Sequence, residues 1–311
     1  MAEHTVSHSI RCAGPPDQAY RLVADVTLWP IVFGPTVAVD VLHRNTDGEA
    51  VNERFRITAA VDDQVRTWTS TRELNSTART IDFRQEHARA PIDSMSGTWS
   101  FDPADGDGTQ ILLRHRFRLT DDRPDNRAWM EAALDTNSER ELGAIAAICA
   151  AEVSLEDLVV RCTDSVRVDD IIGAYQAVSD ARSWPALLSH VYEVDLTEPE
   201  PGIQDLQMTV RTVDGVEHRT RSIRLCEPGR RISYKQLRTP VGLSGHSGCW
   251  GFDEETGNVT SSHIALLDPK TVTSREHAAQ LRETVATTLS TNSRATLAAL
   301  TRAPLLPGIR S

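Results

Sequence analysis

The clearest pattern of hydrophobic and polar positions lies in the segment from Ile111 to Leu119. Every second residue there is apolar or aromatic, and the residues between them include Arg114, Arg116 and Arg118. A period of two predicts a β-strand with one buried face and one face in water. We therefore interpret the arginine row as the solvated face of an antiparallel sheet.

Apolar residues at helical spacing predict one long helix towards the end of each half of the chain. The first helix is expected from about Asp125 to Glu152 and the second from about Ser274 to Thr301. Short strands are expected near Thr5–Cys12 and Val160–Val168. Strands followed by one long closing helix are typical of an α+β fold.

Turn-forming residues separate the remaining strands. Pro30 and Pro185 are each expected to stop a short helix early in their half of the chain. Glycine and asparagine accept the positive φ angles that hairpin turns need. Hairpins are therefore predicted at Asp47-Gly48, Asp105-Gly106-Asp107-Gly108, Asp214-Gly215 and Gly257-Asn258.

The chain also contains a second copy of its own pattern. Four motifs recur in the same order, which chance does not easily produce and which indicates a duplicated domain. We expect an N-terminal domain at 1–153 and a C-terminal domain at 154–311, each long enough to fold by itself. The paired motifs are Ala19-Tyr20-x-x-Val23-x-Asp25-x-x-x-Trp29-Pro30 with Ala174-Tyr175-x-x-Val178-x-Asp180-x-x-x-Trp184-Pro185, Arg79-x-Ile81-x-Phe83-Arg84-Gln85 with Arg230-x-Ile232-x-Tyr234-Lys235-Gln236, Ser96-Gly97-x-Trp99-x-Phe101-Asp102 with Ser247-Gly248-x-Trp250-x-Phe252-Asp253, and Thr136-Asn137-Ser138 with Thr291-Asn292-Ser293.

Composition narrows the classes of function. The 33 Lys and Arg residues against 44 Asp and Glu residues give a net charge of −11, which disfavours binding to nucleic acid or to an anionic membrane. The most apolar stretch, Leu142–Val153, is too short to span a bilayer, and the N-terminus does not resemble a signal peptide. The five cysteines lack paired spacing, so we expect buried thiols without a disulfide framework or a metal site, in a cytoplasmic protein.

Three sequence features, taken in order with the long closing helices, resemble a known family. They are Trp29-Pro30, Trp68-x-Ser70-x-Arg72 and Met95-Ser96-Gly97-x-Trp99-x-Phe101. The set resembles the polyketide aromatase/cyclases of bacterial type II polyketide synthases, in the START-like or Bet v 1-like helix-grip superfamily, and the tandem form resembles their di-domain subclass. The resemblance implies two tandem helix-grip domains, each a curved antiparallel sheet wrapped around its long C-terminal helix and enclosing a pocket.

The resemblance also implies an activity. Family members take a poly-β-ketone carried by an acyl carrier protein, direct its first aldol ring closure in the C7–C12 pattern, and dehydrate the product to an aromatic ring. No metal or organic cofactor is expected, and the chain contains no P-loop, Rossmann or His-Glu-x-x-His motif. The implied partners are the acyl carrier protein and the other synthase components. The alternative function is a non-catalytic carrier or scaffold protein that binds an apolar ligand in the same pocket.

The strand from Arg66 to Glu73 carries the main candidate catalytic residues. Alternation places Trp68, Ser70 and Arg72 on one face. On an inward face, the Arg72 guanidinium could stabilise an enolate oxygen and Ser70 could hold a water or a carbonyl oxygen. The resemblance supports Arg72, since family members have an important arginine at the matching position. The alternative is that Arg72 pairs with a carboxylate on an outward face.

Other residues are candidate walls of the N-terminal pocket, although aromatic and methionine side chains are more often ordinary core. Asn137, in the middle of the closing helix, is expected either to contact a ligand or to bond a neighbouring backbone carbonyl. Thr36 stands near the place where some single-domain relatives have a tyrosine. Threonine is not an equivalent proton donor, so the identity of the general acid is left open. The candidate wall residues are Trp29, Phe33, Trp68, Met95 and Trp99.

The C-terminal copy is expected to differ at the candidate strand. Aligning Trp99 with Trp250 places Arg219, Arg221 and Ile223 opposite Trp68, Ser70 and Arg72, and His246 opposite Met95.

Two hypotheses remain for the C-terminal copy. It is either a second reactive pocket, with His246 titrating near neutrality, or a supporting domain in which Arg219, Arg221 and Arg224 form a surface row. The candidate residues of the second pocket are Trp184, Arg221, Tyr234, Gln236, His246 and Asn292.

Overall fold

The structure is a computed structural model that describes residues 2–48, 50–61, 64–211 and 217–301. The chain divides into two compact units, Met1–Leu155 and Glu156–Ser311, so the division falls at 155/156 rather than at 153/154. The predicted hairpin at Asp214-Gly215 lies outside the described residues.

The N-terminal unit is built on one antiparallel sheet of seven strands. The sheet order is β1-β7-β6-β5-β4-β3-β2, so β2 to β7 pair in chain order, β1 pairs with β7, and β1 and β2 are the two edges. The strands are β1 (His4–Cys12), β2 (Thr36–Asp47), β3 (Ala50–Val61), β4 (Gln64–Asn75), β5 (Thr80–Glu86), β6 (Ile92–Ala104) and β7 (Gly108–Leu119).

Three helices complete this unit: α1 (Pro16–Ala24), α2 (Trp29–Val32) and the long α3 (Pro124–Cys149). Pro30 lies in the first turn of α2, where a proline is tolerated because the amide has no intrahelical partner. The prediction that Pro30 stops a helix is therefore wrong, since α1 has already ended at Ala24. Pro185 likewise lies in the first turn of its own short helix.

The C-terminal unit repeats this architecture with the sheet order β8-β14-β13-β12-β11-β10-β9. Ser274 caps the long closing helix, because its hydroxyl accepts a hydrogen bond from the amide of His277. The elements are α4 (Leu155–Leu158), β8 (Val159–Arg167), α5 (Ile171–Ser179), α6 (Trp184–Leu187), β9 (Val191–Glu200), β10 (Ile203–Arg211), β11 (Glu217–Glu227), β12 (Arg231–Arg238), β13 (Leu243–Asp253), β14 (Asn258–Leu267) and α7 (Arg275–Leu300).

The closing helix of the N-terminal unit lies against β1 and β7. The predicted alternation of β7 is confirmed, because Phe117 and Leu119 are buried while Arg114 and Arg118 are exposed. Met130 and Leu134 of α3 pack on the buried face of this strand. Each such fully buried side chain contributes about 1.5–3 kcal/mol, so the helix is held on the sheet by its apolar stripe.

The α+β prediction and the tandem helix-grip organisation are confirmed by these two sheets and their long closing helices. None of the five cysteines, all of which the structure describes, forms a disulfide; Cys12 and Cys149 are buried and the other three are partly exposed. Within the described ranges, no helix has both the length and the apolar character needed to cross a membrane.

Candidate active site

The N-terminal unit contains a cavity of about 340 Å³ between its sheet and α3. Strands β2 to β7, the segment around α2, and α3 all contribute to its walls. The structure brings all eight residues predicted for the N-terminal site to this cavity, while their roles in a reaction stay predictions. They are Arg72, Ser70, Trp29, Phe33, Trp68, Met95, Trp99 and Asn137.

Strand β4 presents its candidates to the cavity because successive side chains of a strand point to opposite faces. Ser70 and Arg72 are each only 4% exposed, and Trp68 is partly buried. Thr67, one position before Trp68, is exposed. The inward face expected from the alternation is therefore the face that lines the cavity.

The guanidinium of Arg72 ties the sheet to the end of α1. Its Nε donates to Oε2 of Glu53 at 2.7 Å, and a terminal nitrogen lies 2.6 Å from the same oxygen. The other two bonds go to the backbone oxygens of Val23, at 2.8 Å, and Ala24. Four of the five N–H groups thus have protein acceptors, which leaves one N–H for a ligand.

The carboxylate that pairs with Arg72 lies on the inward face, so the alternative of an outward pair is wrong. Glu53 is directly opposite Arg72 in the β3–β4 ladder and is 4% exposed. Burial lowers the pKa of Arg72, and the negative charge of Glu53 opposes that shift. The guanidinium also lies 5.2 Å from the ring centre of Phe55 and 5.6 Å from that of Trp29. Arg72 is therefore first of all a structural anchor.

Aromatic rings form a fixed wall on this side of the cavity. Trp29 donates its indole N–H to the backbone oxygen of Val23 at 3.1 Å. Its ring meets Phe33 and Phe55 edge to face, each with ring centres 5.6 Å apart. Such contacts hold the rings in one orientation, so this part of the cavity is preformed.

Sequence analysis missed a carboxyl group in the cavity. Glu141 of α3 lines it beside Arg140, and burial raises the pKa of Glu141 to about 7. Glu141 lies four residues after Asn137, which places both on the same side of the helix. That spacing could have identified Glu141, because Asn137 was already expected to face inward. Asn137 lines the cavity but keeps substantial accessible surface.

A second missed cavity residue is His115 of β7. Burial lowers its pKa to about 4, with the nearby His8 acting in the same direction, so the imidazole is neutral at neutral pH. Its ring meets Phe83 edge to face at 5.6 Å. Phe83 in turn lies so close over Gly97 that a Cβ there would be 2.4 Å from the ring. The repeated glycine therefore makes room for an aromatic ring.

The C-terminal unit contains a corresponding cavity of about 220 Å³. Five of the six residues predicted for this pocket line it: Trp184, Tyr234, Gln236, His246 and Asn292.

The sixth residue, Arg221, does not line this cavity. It is partly exposed and forms an ion pair with Asp205, with 2.6 Å between the closest nitrogen and oxygen atoms. Its neighbours Thr220 and Ser222 are buried cavity residues, and alternation then directs Arg221 to the other face. The pocket assignment of Arg221 is therefore wrong.

The arginine that corresponds to Arg72 is Arg224. Its terminal nitrogens donate to the backbone oxygens of Ser179, at 3.2 Å, and Val178, at 2.5 Å, which close α5 as Ala24 and Val23 close α1. Its guanidinium lies 5.4 Å from the ring centre of Trp184, the repeat of Trp29. The expected equivalence of Arg72 with Ile223 is thus wrong by one position.

The hypothesis that Arg219, Arg221 and Arg224 form a surface row is wrong for Arg224. Arg224 is 2% exposed and lines the cavity, whereas Arg219 and Arg221 lie on the other face of β11. With the register set by Arg224, Ser222 corresponds to Ser70 and Thr220 to Trp68. The C-terminal unit therefore keeps two of the three side chains of the candidate strand.

A hydrogen-bonded network occupies one wall of the C-terminal cavity. His263 lies at its centre, with Tyr234 Oη 2.7 Å from Nδ1, His246 Nε2 3.1 Å from Nδ1, and Ser293 Oγ 2.6 Å from Nε2. Burial lowers the pKa of His246 to about 3 and that of His263 to about 4. The expectation that His246 titrates near neutrality is therefore wrong, because the buried imidazole resists protonation.

Comparisons with known proteins agree on one family. Residues 12–125 match the family model described as polyketide cyclase / dehydrase and lipid transport. The chain is 42% identical to the actinorhodin polyketide synthase bifunctional cyclase/dehydratase of Streptomyces coelicolor, over 95% of both chains. It is also 42% identical to the granaticin polyketide synthase bifunctional cyclase/dehydratase of Streptomyces violaceoruber, over 87% of this chain and 83% of that relative.

Solved structures with the same two-domain organisation are similar over nearly the whole chain. The di-domain ARO/CYC BexL from the BE-7585A biosynthetic pathway has a TM-score of 0.80 and 39% identity, covering 98% of this chain and 100% of its own. The di-domain ARO/CYC StfQ from the steffimycin biosynthetic pathway has a TM-score of 0.76 and 28% identity, covering 96% and 97%.

Proposed function

This chain belongs to the di-domain polyketide aromatase/cyclases, enzymes of polyketide cyclisation and dehydration, and we propose that its N-terminal cavity directs the first aldol ring closure of a poly-β-ketone. The proposed regiochemistry is the C7–C12 pattern that the family resemblance implies. The proposed substrate is a chain carried by an acyl carrier protein.

The observation that carries this proposal is the carboxyl group of Glu141 inside an aromatic cavity. An aldol closure removes a proton from a carbon between two carbonyl groups and later returns a proton to the new alkoxide. A group with a pKa near the working pH does both efficiently. The pKa of Glu141, raised to about 7 by burial, meets this requirement.

Glu141 alone can accept and return the proton of the ring closure, so no second acid or base is needed. Glu141 accepts the proton of the carbon between two carbonyls, and the electron pair of the C–H bond forms the enolate. The enolate carbon attacks a second carbonyl carbon, whose oxygen becomes an alkoxide and takes the proton back. Loss of the adjacent proton and of the hydroxyl group as water then gives the ring double bond.

Arg72 acts in this proposal mainly as a positioning residue. Its bonds to Glu53, Val23 and Ala24 hold β4 against β3 and the end of α1. Its one remaining N–H and the buried hydroxyl of Ser70 are the proposed donors to the enolate oxygen.

The proposed carrier protein partner needs a basic surface, because acyl carrier proteins are generally acidic and this chain has a net charge of −11. Outward arginines of neighbouring strands are the candidate contacts, beside Glu73 and Asp82 in the same groove. Arg84 of β5 and Arg116 of β7 flank the same residue of β6, and Arg114 is exposed two positions along. The relatives named above are themselves components of polyketide synthases.

A matched pair of cavity-filling variants tests the proposal. Met95 lines the N-terminal cavity and Met208 the C-terminal one. A minimal synthase with its carrier protein is supplied with wild-type chain, with Met95→Trp or with Met208→Trp, and the products are identified by mass spectrometry. We expect Met95→Trp to lose the wild-type first ring and Met208→Trp to retain it.

Two results would contradict the proposal. If the products are the same with and without wild-type chain, the chain does not close the first ring. If Met95→Trp, shown to be folded by circular dichroism, gives the wild-type ring pattern, the N-terminal cavity is not where the ring forms, and a non-catalytic carrier role for that cavity is favoured.

A further inference from the structure

The C-terminal cavity contains a buried cation that has no carboxylate within ion-pair distance in the described residues, while Asp180 acts on it from farther away. Arg224 is 2% exposed, and its two hydrogen bonds go to neutral backbone oxygens. Among the described residues, no carboxylate pairs with it. Burial lowers the pKa of Arg224, yet a guanidinium remains protonated at neutral pH. A buried unpaired charge is costly, so a site of this kind favours an anionic ligand.

The missing counterion has a clear origin in the sequence. In the N-terminal unit, Glu53 lies opposite Arg72 on the neighbouring strand. The residue at that register position opposite Arg224 is Gln204. Gln204 is 7% exposed, and its side-chain oxygen has no hydrogen-bond partner in the described residues. The second unit therefore keeps the arginine and has lost the charge that neutralises it.

Two further hydroxyl groups face the same cavity. Thr220 lines the cavity, is 6% exposed, and its hydroxyl has no partner in the described part of the chain. Tyr234 lies directly opposite Arg224 on the adjacent strand β12. Side chains in that relation have Cβ atoms about 4.5–5.5 Å apart. Both side chains therefore line the same wall of the cavity.

The hydrogen-bond network is consistent with a tautomer in which Tyr234 can donate to a ligand. With Nδ1 of His246 donating to the side-chain oxygen of Gln236 at 2.9 Å, its Nε2 is an acceptor. The hydrogen on Nδ1 of His263 is then shared between that Nε2, at 3.1 Å, and the oxygen of Tyr234, at 2.7 Å. In this tautomer the phenolic hydrogen of Tyr234 is left for another acceptor.

We infer that the C-terminal cavity is a second oxyanion site, in which Arg224 and Tyr234 bind the enolate oxygen of a 1,3-dicarbonyl or β-hydroxy-ketone segment and Thr220, four residues away on β11, binds a more distant oxygen of the same chain. The choice of an enolate as ligand rests on the proposed function, because both aldol closure and loss of water from its product pass through one. Three N–H groups of Arg224 are without an acceptor in the described residues, against one in Arg72.

The two cavities then have different chemical roles. The N-terminal cavity has an anchored arginine and a titrating carboxyl group, which suit proton transfer. The C-terminal cavity has an unpaired arginine and neutral donors, which suit stabilisation of negative oxygen. A chain that needs both ring closure and dehydration benefits from both kinds of site.

Acetylacetone tests the site, since it is a small 1,3-diketone whose enolate has its own ultraviolet absorption. The full-length chain is titrated with acetylacetone at about pH 7 and the enolate band is followed. We expect the wild type to raise the enolate fraction of the bound probe roughly tenfold over the free probe, as charge-assisted hydrogen bonds to an anion would. Arg224→Gln should lose the increase when both chains being compared also carry Met95→Trp, which fills the N-terminal cavity.

Gln204→Glu is the more informative variant, because it restores the buried pair of the N-terminal unit and keeps Arg224 in place. We expect it to abolish the enolate increase even if Arg224→Gln folds poorly. Arg221→Gln is the matched control on the same strand, and it should behave as wild type because its side chain faces away from the cavity.

An absent enolate increase in the wild type would overturn the inference. So would an increase that persists at wild-type level in folded Gln204→Glu. First-ring formation by the wild type in the synthase assay, together with either of these results, would leave the proposed function intact and remove only the second site. If the wild type forms no first ring but gives the expected probe response, the proposed function fails and the second oxyanion site stands.

Discussion

The two cavities of this protein share a frame and differ in charge. In each, an arginine on the fourth or eleventh strand caps the end of a short helix and lies beside a tryptophan of the repeated Trp-Pro motif. Glu53 neutralises that arginine in one unit, and Gln204 does not in the other. Duplication has kept the fold through the shared arginine, and a single residue on a neighbouring strand changes what the arginine can bind.

The surroundings of one histidine show the same divergence. His115 and His263 occupy equivalent positions opposite Gly97 and Gly248. In the first unit its neighbours are Phe83 and Met95, and its Nδ1 has no partner within the described residues. In the second unit the same places hold Tyr234 and His246, which bond to His263. Two substitutions convert an apolar environment into a proton network.

Arg72→Ala should have the largest effect on the N-terminal unit. It leaves buried Glu53 with only the exposed Arg44, 3.3 Å away, as a partner and removes the cap of α1, so we expect a loss of about 3 kcal/mol in the free energy of unfolding. Hydrogen exchange followed by mass spectrometry on peptides of β3 and α1 measures the loss within this unit. Arg221→Ala is the control, with an expected change of about 0.5 kcal/mol or less, because its ion pair is partly exposed.

A stable Arg72→Ala variant would contradict the anchor role. Protection of β3 and α1 at wild-type level would show that Arg44 alone is a sufficient partner for the buried Glu53. Arg72 would then be free for a direct role in the reaction, as the alternation of β4 first suggested.

Acid should weaken the C-terminal unit more than the N-terminal unit. The pKa values of His246 and His263 are lowered to about 3 and about 4 in the folded chain, against about 6.5 when unfolded. As pH falls below about 6.5, the unfolded chain takes up protons first, so stability on the order of 3 kcal/mol for each of the two histidines is lost towards pH 4. The N-terminal unit has one such group, His115, with a pKa of about 4.

His246→Met sharpens this test, because it gives the second unit the residue that the first has at that position. We expect the variant to lose less stability than the wild type between about pH 7 and about pH 4.5, measured by urea unfolding with hydrogen exchange to separate the units. Equal acid sensitivity of the two units in the wild type would refute the buried neutral pair.

The sequence predicted the N-terminal site better than the C-terminal one, and the reason is local. Alternation along β4 needs no partner strand, so Trp68, Ser70 and Arg72 could be assigned to one face. The C-terminal equivalents depended on counting back from Trp250 through a hairpin. That hairpin has three residues between β11 and β12, whereas the one between β4 and β5 has four. The shift of one position exchanged Arg224 for Ile223.

Glu53 and Glu141 were missed for different reasons. Charged side chains are almost never fully buried unless they are paired, and the pairing of Glu53 appears only when β3 and β4 are in register. Glu141 was within reach, because it follows Asn137 by one helical turn. Glu141 matters because the surrounding fold removes it from water and so raises its pKa. The spacing of residues along a helix carries no information about that desolvation.

Glu141→Gln should give the smallest change in stability and the sharpest change in activity. Its pKa is raised to about 7 in the folded chain, so stability falls as pH rises from about 4.5 to about 7, and the variant should be more stable than the wild type above about pH 7, by on the order of 2 kcal/mol. The equivalent position in the second unit is Thr296, whose hydroxyl bonds the backbone oxygen of Asn292 at 3.1 Å. Thr296→Val is therefore the matched control and should leave the pH profile of ring closure unchanged. If the wild-type rate rises through about pH 7 and the Glu141→Gln rate is low and independent of pH, the carboxyl group is the base. An unchanged inflection in the rate of Glu141→Gln would assign the proton transfer to another group. The two cavities would then differ in their arginines alone.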